Sequence, residues 1–109
     1  MLDSRIEKLA KGLINYSVEL KKGEKCLIET FDIDNALTKA LVKEVYNAGG
    51  YPFVWIRDNQ VQRKILNGLN DELCNLMADV DSYLMEKMDA YVGIRGGNND
   101  YDLSDVDGE

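Results

Sequence analysis

The chain has no histidine, one proline and two cysteines among its 109 residues. Without histidine it can form no Ser–His or Cys–His nucleophile pair, no imidazole acid–base group and no His-containing zinc site. It is also short of positive charge, with 13 Lys plus Arg against 20 Asp plus Glu and a net charge of −7. Phosphate backbones and anionic headgroups are not drawn to such a surface, so neither nucleic acid nor membrane is an expected partner. Long hydrophobic runs are missing as well. The longest apolar stretch, Tyr51 to Ile56, falls far below the roughly 20 residues of a membrane span. Glu7, Lys8, Lys11, Asn15 and Glu19 interrupt the first twenty residues, which therefore lack the apolar middle of a signal peptide. The cytoplasm is the expected location. Cys26 and Cys74 form no CxxC pair, and both are expected to be buried structural thiols, the usual fate of free cysteine.

What remains is 45% apolar and 30% charged, the composition of one globular domain. The chemistry missing from it argues against a complete hydrolase.

Hydrophobic spacing predicts a first helix over about 3–21. Ser4 and Glu7 form a capping-box pattern, and Ile6, Leu9, Ala10, Leu13, Ile14 and Leu20 lie on one face. Gly23 is placed to take a left-handed turn after it. Lys25 to Phe31 reads as a strand, and Asp32 or Asp34 caps a second helix carrying Leu37, Ala40, Leu41 and Val45, ended by Gly49-Gly50. Tyr51 to Arg57 is apolar on both faces and should be covered on both, as parallel strands are, with Pro52 tolerated near the strand start or at an edge. A short helix stops at Gly68. Another, capped by Asn70 or Asp71, turns Leu73, Leu76, Met77, Val80 and Leu84 inward, and Asp89 to Arg95 forms the third strand.

This alternation means an α/β fold, a three-layer-type parallel sheet of about three strands with flanking helices. Residues 1–99 form the α/β domain. Residues 100–109, with five acids, read as an acidic tail or linker toward a missing domain. A truncated domain of a larger protein fits so small a sheet better than a stand-alone fold does.

Ligands of open α/β sheets bind beyond the carboxyl ends of the strands. Glu29-Thr30-Phe31-Asp32 contains no glycine, which excludes a dinucleotide fingerprint there. Asp100, Asp102, Asp105 and Asp107 lack the glycine and closing carboxylate spacing of a calcium loop. Arg57 and Arg95 are expected to end their strands with the charge in water, paired to acids such as Asp58. Tyr16, Tyr46 and Tyr91 read as half-buried core aromatics. Glu29 is the one odd mid-strand charge, suited to facing a second domain or partner.

Three stretches carry a resemblance. Glu7-Lys8-Leu9-Ala10 with Asn15-Tyr16-Ser17 leads through Lys22-Gly23-Glu24-Lys25 into Leu27-Ile28. Ala40-Leu41-Val42 runs on to Ala48-Gly49-Gly50-Tyr51-Pro52, and Met88-Asp89-Ala90-Tyr91-Val92-Gly93-Ile94-Arg95-Gly96 is followed by Leu103-Ser104-Asp105-Val106. Together they resemble the amino-terminal domain of the aminopeptidase T family of metallopeptidases (aminopeptidase S and II among them), with Lys22-Gly23 where relatives often show Pro-Gly. The resemblance implies a cytoplasmic enzyme that removes amino-terminal residues from peptides with a pair of divalent metals, cobalt or zinc. It places every metal ligand in a carboxy-terminal catalytic domain, so no catalytic or metal residue and no cofactor is assigned to this chain. It also implies that this domain helps enclose the active-site cavity and packs in a homo-oligomer. Arg95, Gly96, Gly97, Asn98 and Asn99 are the candidates for facing the cavity or contacting the catalytic domain. The alternative from another class is a stand-alone α/β binding or dimerisation module.

Overall fold

The computed structural model describes residues 4–97 and 100–106, with side chains as far as Gly96. The elements run α1 (Ser4–Gly12), a π-helical turn (Leu13–Ser17), β1 (Lys25–Phe31), α2 (Asn35–Asn47), β2 (Tyr51–Arg57), α3 (Asn59–Asn67), α4 (Asp71–Lys87), β3 (Ala90–Gly97) and β4 (Asp100–Val106). The strands lie in the order β2-β1-β3-β4. The first three are parallel, with Ile28 opposite both Val54 and Val92. The α/β fold read from the sequence is the one observed.

The sheet has two unequal faces. Cys26, Ile28, Val92 and Ile94 point to one side, where Ala10, Leu13 and Ile14 of the first helical segment and Leu37, Leu41 and Val45 of α2 close over them. This is the core, and most of its side chains are fully buried. Leu27, Glu29, Trp55 and Tyr91 point to the other side, under Leu84 and Met85 of α4.

The first helix is shorter than its periodicity suggests. After Gly12 the ladder widens to i→i+5, with the Val18 amide donating to the Leu13 carbonyl at 2.9 Å. Glu19 then adopts φ 51°, which ends the segment and turns Leu20 back into the core. Gly23 and Gly49, both at φ 84°, meet where the Gly23 amide donates to the Gly49 carbonyl at 2.8 Å. Glycine adopts this left-handed backbone without a Cβ penalty.

Caps account for the remaining helix starts. Asp34 accepts from the Ala36 amide, Asp58 from Gln60 and Val61, and Asn70 from Leu73. Asp89 ties β3 to β1 by accepting from the Lys25 amide at 2.9 Å while its own amide donates to the Lys25 carbonyl.

Three expectations are corrected. β2 is an edge strand, and Tyr51, Phe53 and Ile56 are exposed, so its apolar sequence is not covered on both faces. Pro52, second in that strand, sits where a missing ladder donor costs least. The α4 stripe is only partly inward: Leu84 is buried, but Leu76 is 57% and Val80 47% exposed, because the helix meets the sheet through its last turns. The acidic stretch expected as a tail from Asp100 instead begins with β4, antiparallel to β3 from Gly97↔Asp100 to Val92↔Val106. Charge there obscured a strand, and charge on an edge strand discourages further pairing.

The cysteines divide. Cys26 is buried in the core and Cys74 is exposed on α4, against the expectation that both are buried. Burial pushes the Cys26 thiol from 9.0 up to about 11. Its neutral form therefore favours the folded state, a contribution present below about pH 9 and lost as pH rises through 11. A thiol reagent at pH 8 is expected to modify one cysteine, Cys74, in the folded chain and both in denaturant, as read by mass spectrometry. Fast native labelling of Cys26 would contradict this packing.

Candidate functional site

The carboxyl ends of the strands are held together by the turn that follows β1. Asp32 takes φ 58°, its amide donates to the Arg57 carbonyl at 3.2 Å, and its carboxylate accepts from the Asn59 amide at 3.1 Å. The end of β1 is thereby fastened to the start of α3. Gly96 of β3 lies against the same turn: a Cβ there would stand 2.5 Å from the Asp32 carbonyl oxygen and 2.7 Å from Ile33 Cγ2. Arg95 lies opposite Phe31 in register, with its guanidinium 4.4 Å from the Phe31 ring centroid. Of the five sequence candidates, Arg95 and Gly96 thus reach the carboxyl edge of the sheet and touch the β1 end. Gly97 continues β3 in backbone only, and Asn98 and Asn99 lie outside the described residues.

One turn back along the sheet is a polar centre that none of those candidates includes. Glu29 accepts from Arg57 Nε at 2.5 Å through one carboxylate oxygen and from the Tyr91 hydroxyl at 2.7 Å through the other. Both partners are mostly covered, with the Arg57 side chain 24% and Glu29 17% exposed. The Arg57 guanidinium also lies over Trp55, 4.5 Å from the ring centroid. The sheet register explains the meeting. Glu29 stands opposite Trp55 on one side and Gly93 on the other. Arg57 is two residues beyond Trp55 and Tyr91 two before Gly93, so all three share one face. Gly93 has no side chain to fill the space over which the tyrosine reaches.

Arg57 therefore does not pair with Asp58, whose carboxylate is committed to capping α3. Tyr91 is not solely a core aromatic either. The odd charge at Glu29 was the usable signal, but its partners follow only from the strand order.

Beside this centre a groove of about 540 Å³ opens between β2 and α4. Trp55 and Arg57 line it from the strand, and Leu76, Met77, Val80 and Asp81 from the helix. Among the described residues no three or more His, Cys, Asp or Glu side chains are grouped so as to hold a metal ion. The described side chains do not fit a dinuclear metal site. No helix of the described residues is long and apolar enough to cross a membrane.

Three parallel strands and one antiparallel edge strand, with a helical core layer on one face and a half-covered layer on the other, define an α/β domain. The chain belongs to the thermophilic metalloprotease (M29) family, whose pattern it matches over residues 2–109, in agreement with the resemblance read from the sequence. Among solved structures it is similar to wild-type AmpT from Thermus thermophilus, at 24% identity and a TM-score of 0.53. That likeness covers 63% of this chain and 18% of AmpT, and at this identity it speaks for the fold. The chain thus spans less than a fifth of the length of that relative. A comparison with curated proteins gives no match.

Proposed function

We propose that this chain is the amino-terminal domain of a cytoplasmic metallo-aminopeptidase that removes amino-terminal residues from peptides. Membership of a metalloprotease family over nearly the whole chain carries the reading. The metal pair, cobalt or zinc, belongs to a carboxy-terminal catalytic domain of the same parent, and the chain alone is inactive. Absence of histidine from the sequence agrees with that division of labour. Arg95 and Gly96, at the carboxyl edge with Gly97, Asn98 and Asn99 following in sequence, face the cavity or the catalytic domain in this reading.

The exposed apolar residues of α3 and α4 support a domain contact. Val61, Leu66 and Tyr83 are all exposed, apolar surface of the kind that marks a contact with another domain. In the parent they pack on the catalytic domain; in the isolated chain they promote association with other copies.

The test is the coding frame past Glu109 together with an assay of the 109-residue chain. The frame is expected to continue into Glu-, Asp- and His-containing clusters, and the isolated chain to leave aminoacyl-p-nitroanilides intact with or without cobalt. An immediate stop codon would favour the stand-alone module. Turnover that survives repurification and depends on a residue of this chain would overturn the assignment of catalysis to another domain.

A further inference from the structure

The groove between β2 and α4 holds a cation that is only partly used. Glu29 engages Arg57 through Nε, and the Trp55 ring covers one face of the guanidinium. Neither terminal nitrogen of Arg57 has an acceptor among the described residues. The guanidinium is held in a fixed orientation, and none of its nitrogens is among the buried polar atoms left without a partner, so its outer donors are open to water and to a ligand entering the groove. Guanidinium donors are matched in geometry by a carboxylate, which can take two parallel N–H bonds. The glutamate and tryptophan set the plane of the group before any ligand arrives, which lowers the ordering cost of binding.

The other walls narrow the ligand. Leu76, Met77 and Val80 supply an apolar flank, and Asp81 disfavours a second negative charge beside them. A volume of about 540 Å³ lies within the range of small-molecule sites.

We infer that this groove binds a monocarboxylate carrying an aliphatic group, with the terminal nitrogens of Arg57 as its anchor and Leu76, Met77 and Val80 against the aliphatic part. The carboxyl end of a short peptide with an apolar last residue and a free branched-chain acid share this chemistry. The inference stands on the groove alone and is independent of where the parent's metal lies.

Titration of the isotopically labelled 109-residue chain, followed by amide and indole NMR signals, tests it. N-acetyl-leucine is expected to shift the Trp55 indole and the amides of Arg57, Met77 and Val80, saturating at millimolar concentration. Its carboxamide, which cannot accept the paired bonds as an anion, is expected to bind at least about tenfold more weakly. 4-Methylpentanoate separates the sources: binding equal to that of N-acetyl-leucine assigns the site to free acids, and much weaker binding to peptide ends. Arg57→Gln should abolish the shifts. Because it also leaves Glu29 unpaired, Val80→Glu is the second variant; it changes an exposed helix position and should abolish binding by placing an anion in the groove while the amide spectrum stays dispersed. Equal binding of acid and carboxamide, shifts confined to other parts of the chain, no shifts at tens of millimolar, or undiminished binding in folded Val80→Glu would each overturn the inference.

Discussion

Replacing Glu29 by alanine is expected to lower the unfolding free energy by about 2–3 kcal/mol, measured by urea denaturation. The carboxylate satisfies two groups at once, Arg57 Nε and the Tyr91 hydroxyl. Removing it leaves a mostly covered guanidinium without its counter-charge and a phenol without its acceptor. Breaking a fully buried pair from one side costs about 3–5 kcal/mol. The residual exposure of both side chains lets water recover part of that loss. Glu29→Gln is expected to fall between wild type and alanine, since the amide oxygen still accepts from one donor but carries no charge. Removing both charged partners, as in Glu29→Leu with Arg57→Leu, should cost less than the two single changes added together, because no uncompensated charge remains. A Glu29→Ala change within about 0.5 kcal/mol of wild type would mean that the three groups are independently solvated, in the range of ordinary surface substitutions.

This centre also shows where sequence reasoning stops. β1 and β2 coincide with their expected limits because alternation and glycine punctuation are local signals. Asp34, Asn70 and Gly68 likewise announce the helix ends by side-chain chemistry within three residues of the backbone groups they serve. Strand order is a non-local property. It places β2 at an edge and sets Glu29 between Trp55 and Gly93, and with it both partners of the glutamate and the groove beside them. Apolar periodicity in α4 correctly marks a helix, yet it cannot say whether the stripe meets the sheet of this chain or another surface. Leu84 does the first, while Leu76 and Val80 stay exposed. β4 was hidden by its acids, which mask the short alternation around Tyr101 and Leu103. The π-helical turn has no sequence mark: Leu13 and Ile14 keep helical spacing, and only the Val18-to-Leu13 bond shows the extra residue.

Gly96→Ala tests how firmly the carboxyl edge is built. The expected cost is about 2–3 kcal/mol, toward the upper part of the range for forcing a methyl group into packed space. The reason lies in what the methyl would meet. Its nearest neighbour is the Asp32 carbonyl oxygen at 2.5 Å, backbone that cannot rotate aside. That backbone is tied on one side by the Asp32 amide to the Arg57 carbonyl and on the other by its carboxylate to the Asn59 amide. Asp32 already sits at φ 58°, a left-handed conformation an aspartate tolerates only at some cost, so the turn has little freedom to retreat. Strain from the methyl must therefore pass either into β3 pairing or into the start of α3. Gly12→Ala is the matched control: its Cβ meets nothing within 4 Å and its backbone is right-handed helical. Alanine there should stabilise by about 0.5–1 kcal/mol through helix propensity and a less flexible unfolded chain. Opposite signs for the two substitutions in the same denaturation series would locate the effect in the β1 turn. A Gly96→Ala protein as stable as wild type would show that β3 and this turn stand further apart, and that Arg95 and Gly96 are free of the contacts that fix them at the sheet edge.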